Sequence, residues 1–259
     1  MTYLTRILEA HRAVAADDNR SLDRLIDEAR RGPEPRGFAD ALRSTPGVAV
    51  ISEIKRRSPS KGPLFADLDP ATVAGAYKAG GASCLSVLTD EEFFGGSVAD
   101  LQAARAAVDL PVIRKDFTVS ARDVADARAM GADAVLLIVA ALDDAELADF
   151  HALAVELGLD ALVETHDESE VERALAVGAS VIGVNQRDLV TFEVDTARAV
   201  RVAGVIPDNA VAVAESGITG PQDVPPLHAA GFAAVLVGEA LVRSGDPAAG
   251  VAALRAAVA

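Results

Sequence analysis

From about residue 45 onward the chain keeps returning to one unit. A short apolar run rich in Val, Ile and Leu leads into an alanine-rich stretch of helical period, which closes on a glycine. The runs are Val48–Ile54, Cys84–Leu88, Pro111–Arg114, Ala134–Ala140, Ala161–Glu164, Val181–Val184, Ala210–Ala214 and Ala234–Val237. They are too short for buried helices. Their unbroken apolar character is that of strands covered on both faces, as in an all-parallel sheet. The stretches between them carry helix signals. Asp69-Pro70 and Asp246-Pro247 each set an N-cap carboxylate before a proline at the first helical position, and Gly220-Pro221 is a weaker form of the same start. Asp167 with Glu170 predicts a capping box ahead of Val171, Ala174 and Leu175. Gly80, Gly131, Gly158, Gly178, Gly204 and Gly231 predict left-handed helix ends before the next strand.

Eight such units in 259 residues match the size of a closed α/β barrel, the (β/α)8 TIM barrel. The alternative is an open doubly wound sheet, but the Gly-x-Gly-x-x-Gly turn expected after its first strand is absent. Residues 1–45 stand outside the repeat. Leu4, Ile7 and Leu8, then Leu22, Leu25 and Ile26, have helical spacing, and Pro33 to Gly37 is a turn-rich break. The expectation is one barrel domain over 1–259, with 1–45 as a helical extension packed on it.

Charge narrows the function. Lys and Arg number 24 against 39 Asp and Glu, a formal charge of −15. That argues against general nucleic-acid binding, which needs a basic surface, and against docking on anionic lipid. A small anion remains admissible, since a few lysines can dominate a cleft. Cys84 is the single cysteine, which points to a reducing compartment, and the four histidines show no metal-ligand spacing. Neither a signal-peptide core at the N-terminus nor a run of roughly 18 uncharged apolar residues is found. A cytoplasmic protein is expected.

Barrel active sites gather at the C-terminal ends of the strands. Read in order, those ends carry Glu53, Lys55, Lys115, Glu164, Asn185, Arg187 and Glu215. Any one of them is an ordinary exit residue. Converging on one rim, they cost heavily unless they pair or serve a ligand. Glu215-Ser216-Gly217 and Gly238-Glu239 follow the last two strands, where barrels commonly bind phosphate through backbone N–H groups. Two plain βα turns are the alternative reading. Ser58 and the basic run Lys55-Arg56-Arg57 are candidates for further contacts from the first loop.

At these residues the chain resembles the indole-3-glycerol phosphate synthase family. The resemblance runs from the N-terminal extension to the last helix. It rests on Glu53-Ile54-Lys55 with Ser58-Pro59-Ser60-Lys61-Gly62, Ser86-Val87-Leu88-Thr89-Asp90, Arg114-Lys115-Asp116-Phe117 and Leu136-Leu137-Ile138-Val139. Val163-Glu164 with His166-Asp167, Asn185-x-Arg187-Asp188-Leu189, Glu215-Ser216-Gly217-Ile218 and Val237-Gly238 complete it. The resemblance implies a decarboxylating ring closure of 1-(2-carboxyphenylamino)-1-deoxyribulose 5-phosphate to indole-3-glycerol phosphate, carbon dioxide and water. It implies Lys115 as general acid, Lys55 beside the substrate carboxylate, and Glu164 and Glu53 as acid/base partners whose division of labour stays open. Asn185, Glu215 and Ser216 correspond to the polar lining around the sugar hydroxyls. Ser58, Arg187, Gly217, Gly238 and Glu239 correspond to contacts around substrate and phosphate. Phe94, Phe117 and Leu136 correspond to the pocket for the anthranilate ring. Gln186 stands where a second Asn is common, and Ala240 where Ser is.

No cofactor or metal is expected, since the chemistry needs only acids, bases and charge relief. A lysine acting as acid is expected to have its pKa lowered by burial and by the neighbouring Lys55. The expected partner is a phosphorylated small molecule, with no nucleic acid and no membrane. The chain is expected to be a monomer, with at most weak association with other enzymes of its pathway. Two readings compete. One is a related phosphate-binding barrel, phosphoribosylanthranilate isomerase or the tryptophan synthase α-subunit, which leaves Glu53-Ile54-Lys55 and the extension unexplained. The other is a non-catalytic binding or assembly subunit, against which intact Lys55, Lys115 and Glu164 argue.

Overall fold

The computed structural model describes residues 2–58, 62–63, 65 and 68–258. Among them, eight parallel strands close on themselves: β1 (Ala49–Ile54), β2 (Cys84–Leu88), β3 (Val112–Lys115), β4 (Ala134–Ile138), β5 (Asp160–Thr165), β6 (Val181–Asn185), β7 (Val211–Glu215) and β8 (Ala234–Val237). Each strand pairs with its sequence neighbours, and β1 closes the ring against β8 with Ala49 opposite Ala234 and Ser52 opposite Val237. This is the (β/α)8 barrel, and it removes the open-sheet alternative. Helices α4 (Pro70–Ala79), α5 (Val98–Ala107), α6 (Ala121–Ala129), α7 (Asp144–Glu156) and α8 (Glu168–Ala176) follow the first five strands. Then come α9 (Arg198–Val202), α10 (Val224–Ala229), α11 (Glu239–Arg243) and α12 (Pro247–Ala256). None of the described helices is long and apolar enough to cross a membrane.

The strands lie where the apolar runs predict, because strands buried on both faces leave no polar alternation to misread. Three local expectations change. The run 134–140 is shorter as a strand: β4 stops at Ile138, and Val139–Ala141 turn in a 3-10 helix. At the end of α4 the left-handed residue is Gly81 rather than Gly80. Gly80 is needed for another reason, since a Cβ there would lie 2.3 Å from the Ala248 carbonyl oxygen of α12. Gly204 is likewise not left-handed. Asp167 does cap α8 by accepting from Glu170 N at 2.9 Å, but the Glu170 carboxylate does not return the bond. It accepts instead from His166 N at 2.7 Å.

The N-terminal extension forms α1 (Tyr3–Asp17), α2 (Leu22–Ala29) and α3 (Phe38–Arg43). Its apolar side enters the core through Ile7, Leu25, Ala29, Phe38 and Leu42. Arg12 reaches Glu146 at 2.7 Å, and Arg20 bridges Asp18 and Asp126. The deepest anchor is Asp133, which has no solvent exposure. Its Oδ1 accepts from Arg36 N at 2.9 Å and Arg105 Nη2 at 2.8 Å, and its Oδ2 from Val112 N at 2.7 Å. One carboxylate thus fastens the extension to the starts of β3 and β4. Asp133→Ala leaves a buried guanidinium and two backbone N–H groups without their acceptor, and is expected to lower the unfolding free energy by about 3–5 kcal/mol. Urea denaturation checks this; Asp133→Asn, which keeps one acceptor, should lose clearly less.

Candidate active site

Each βα unit delivers one strand end to the same rim, and parallel register brings those ends level. Ile138 lies opposite Glu164, Glu164 opposite Gly183, and Asn185 opposite Glu215. The ends surround a cavity of about 520 Å³. Glu53, Lys55, Ser58, Phe94, Lys115, Phe117, Leu136, Glu164, Asn185, Arg187, Glu215, Ser216, Gly217, Gly238 and Glu239 all line it. The structure brings these residues together around one cavity. Leu189, Phe192 and Leu236 add apolar surface between them.

Charge is concentrated at the floor. Lys115 Nζ lies 3.1 Å from Glu164 Oε2 and 3.7 Å from Glu215 Oε2. Glu164 Oε1 accepts from Asn185 Nδ2 at 3.0 Å. Glu53 is paired with Lys55 at the end of β1. That end is pinned from outside by Tyr77 of α4, whose hydroxyl donates to the Glu53 carbonyl at 3.0 Å. Burial alone would push the Lys115 ammonium toward neutrality, but Glu164, Glu215 and Glu53 outweigh it and hold its pKa above the usual lysine value. This reverses the expectation of a lowered lysine: Lys55 is taken up by Glu53, and three carboxylates are the near charges. Burial raises Glu164 less than Lys115, His166 and the Asn185 bond lower it, so it stays ionised. Burial and the Glu164 charge push Glu215 up to about 8. One of the two facing carboxyl groups is therefore an acid at neutral pH and the other a base.

The Glu215 carboxylate takes its present position because residue 183 has no side chain. A Cβ at Gly183 would fall 2.1 Å from Glu215 Oε1. The sequence carried that signal as a glycine inside a strand, which marks close approach of another group. Gly238 has a similar local duty, since a Cβ there would meet Glu53 Oε1 at 2.6 Å. The turn after β7 is built from two left-handed residues, Ser216 with φ 64° and Gly217 with φ 73°. Gln186 Nε2 holds it by donating to the Ser216 carbonyl at 2.8 Å, so the departure from Asn at 186 keeps an amide at work. Buried polar atoms without a protein partner include Ser58 Oγ and Glu215 Oε1, both at the cavity. Groups of this kind are costly unless a ligand satisfies them.

Two expectations about the first loop shift. Arg56 binds Asp100 at 2.8 and 2.9 Å, and Arg57 Nε donates to the Phe93 carbonyl at 2.9 Å, so both brace the rim. Pro59, Ser60 and Lys61 lie outside the described residues. The extension contributes more than packing. His11 of α1 meets Asp90 at 2.8 Å, and Asp90 Oδ1 accepts from Phe93 N and Phe94 N at 2.6 and 3.0 Å. The wall residue Phe94 is set by that loop, and the His11 ring also lies against Phe117, tilted by 44° with centroids 5.6 Å apart.

The family model described as indole-3-glycerol phosphate synthase matches residues 4–254. A protein of that name from Streptomyces griseus is 52% identical over 99% of this chain and 96% of its own length. Its namesake from Micrococcus luteus is 51% identical over 99% and 98%. Among solved structures, a 3-hexulose-6-phosphate synthase superposes with a TM-score of 0.64 at 18% identity, over 82% of this chain and all (100%) of its own. A thiamine phosphate pyrophosphorylase from Pyrococcus furiosus does so at 0.61 and 16%, over 82% and 95%. At such identity these two share the fold alone.

The raised Glu215 carboxyl has a thermodynamic signature. Between the ordinary glutamate pKa and about 8 the folded state holds a proton that the unfolded state has lost. Stability from this group is therefore full below the ordinary value and declines as pH rises toward 8, by at most about 1.4 kcal/mol per pH unit. Glu215→Gln removes that slope. Relative to the parent, its Tm should rise steadily between pH 5 and pH 8, as read by differential scanning calorimetry; a constant difference across that range overturns the assignment.

Proposed function

The chain belongs to the indole-3-glycerol phosphate synthase family, enzymes of the carboxy-lyase class, and we propose that its cavity closes and decarboxylates 1-(2-carboxyphenylamino)-1-deoxyribulose 5-phosphate by Lys/Glu acid–base catalysis. The observation that supports this most is the charge order at the floor. Lys115 Nζ stands between two carboxyl groups, 3.1 Å from Glu164, whose pKa is lowered, and 3.7 Å from Glu215, whose pKa is raised. Ring closure needs an acid at the ketone oxygen while the carboxylate-bearing ring carbon attacks. Lys115 is the donor, and its carboxylate neighbours keep it charged at neutral pH. Carbon dioxide then leaves and the ring regains aromaticity. In the last step a hydroxyl departs as water and a proton is lost from the adjacent carbon.

Lys55 sits where it can exchange Glu53 for the substrate carboxylate and then protonate the departing hydroxyl. Glu164 and Glu53 take up the released proton. Asn185, Glu215 and Ser216 face the sugar hydroxyls. Phe94, Phe117 and Leu136 receive the anthranilate ring. The phosphate lies at the mouth against the turns after β7 and β8, with Gly217, Gly238, Glu239, Ser58 and Arg187 around it. Arg187 is braced there, donating from Nη1 to the Phe192 carbonyl at 3.1 Å.

The chain has no Trp and 2 Tyr, so an indole made in the pocket fluoresces with little protein background. Lys115→Met is expected to cost about two to four decades in kcat with substrate binding kept; a variant above a tenth of the parent rate rules out Lys115 as the acid. In the parent, kcat/KM should fall as pH rises through about 8, where Glu215 ionises and repels the anionic substrate. Glu215→Gln should lose that limb. Absence of an indole signal from the parent, with substrate bound and intact, refutes the proposed reaction.

A further inference from the structure

His166 follows β5 and is not among the residues the reaction has used. Its ring is mostly buried, with a side-chain exposure of 13%. Nδ1 lies 3.0 Å from Glu170 Oε2, the same oxygen that accepts the His166 backbone N–H. Glu170 is thereby turned away from the capping role that its position after Asp167 predicts. On the other side of the ring, Nε2 lies 3.8 Å from Glu164 Oε1 and is buried without a hydrogen-bond partner. Glu170, Asp167 and Glu164 present negative charge to the ring, and Arg198 of α9 is the opposing cation.

We propose that His166 is a positioning residue, held by Glu170 as a cation behind Glu164 so that Glu164 remains the ionised member of the Glu164–Glu215 pair. The inference rests on the reading of Glu164 as an acid/base group. The asymmetry is geometric. Lys115 serves both carboxylates, at 3.1 and 3.7 Å, and cannot by itself decide strongly which of them keeps a proton. His166 faces Glu164 alone, on the oxygen that also accepts from the neutral Asn185 amide at 3.0 Å. A second positive charge on that side favours the Glu164 anion and leaves the shared proton on Glu215. In return the two carboxylates outweigh burial and hold the imidazole above its ordinary pKa.

Two measurements test this on the full-length enzyme. The first is an NMR titration of the imidazoles, with His166 assigned by difference from His166→Gln. His166 should titrate above 6.5, and Glu170→Gln and Glu164→Gln should each move it downward. The second is the pH dependence of kcat from the indole signal. His166→Gln should lower kcat roughly tenfold, with KM within about threefold. Its acid limb should move to higher pH, because Glu164 is protonated more easily once the cation is gone. Glu170→Gln, which leaves the ring in place, should move the limb in the same direction by less, and carries the test if His166→Gln fails to fold. A merely structural role would lower Tm and kcat and leave the limb where it is. An unmoved limb in both variants, or a His166 that titrates below 6.5, overturns the proposal. A parent that makes no indole refutes the reaction instead, and the shift of His166 in Glu164→Gln then decides the coupling by itself.

Discussion

The site depends on one ammonium group. Lys115 is largely buried together with Glu164 and Glu215, whose side chains are 1% and 2% exposed. Without the lysine, these carboxylates and the nearby Glu53 would repel one another in a medium that screens poorly, and each would take up a proton or seek water. With it, one negative charge is retained and one is suppressed. Much of the surrounding fold maintains that arrangement: Gly183 leaves room for a carboxylate, and Asn185 fills the remaining acceptor of Glu164. Tyr77 fixes the end of β1 from the helix layer outside.

The barrel was legible because its strands are covered on both faces. Such strands spell themselves as continuous apolar runs, and the glycines between them mark where helices yield. Misreadings fell where one residue serves two demands. Gly80 ends a helix and also lies against the backbone of α12, so the left-handed residue is its neighbour Gly81. Glu170 is spelled as a capping partner but has a histidine within reach. Val139 and Ala140 are apolar enough to extend a strand, yet the chain turns there.

At the site, which residues meet was legible and how they are charged was not. Strand ends in a barrel must share a rim, so reading them in order collects the lining. The ionisation of Lys115 depends on carboxylates from β1, β5 and β7, none of them adjacent to β3. A shared rim suggests Lys55 as its neighbour, and Lys55 belongs to Glu53. His11 was hidden for the same reason: it lies in a segment outside the repeat, and only the docking of α1 brings it to Asp90.

The ring closure between β1 and β8 sets the order in which the molecule can be assembled during synthesis. β1 needs Ala234–Val237 as one of its two flanking strands, and that strand is the last of the eight to leave the ribosome. Asp133 is made midway and already has Arg36 to bind. The nascent chain can therefore fasten its N-terminal helices to a half-built sheet long before the sheet closes. Until then β1 has an unpaired edge, and unpaired edges invite association with other chains. Arg12 of α1 and Arg20, between α1 and α2, pair with Glu146 of α7 and Asp126 of α6, so the extension acts as an early brace for a structure whose final contact must wait for nearly the whole sequence.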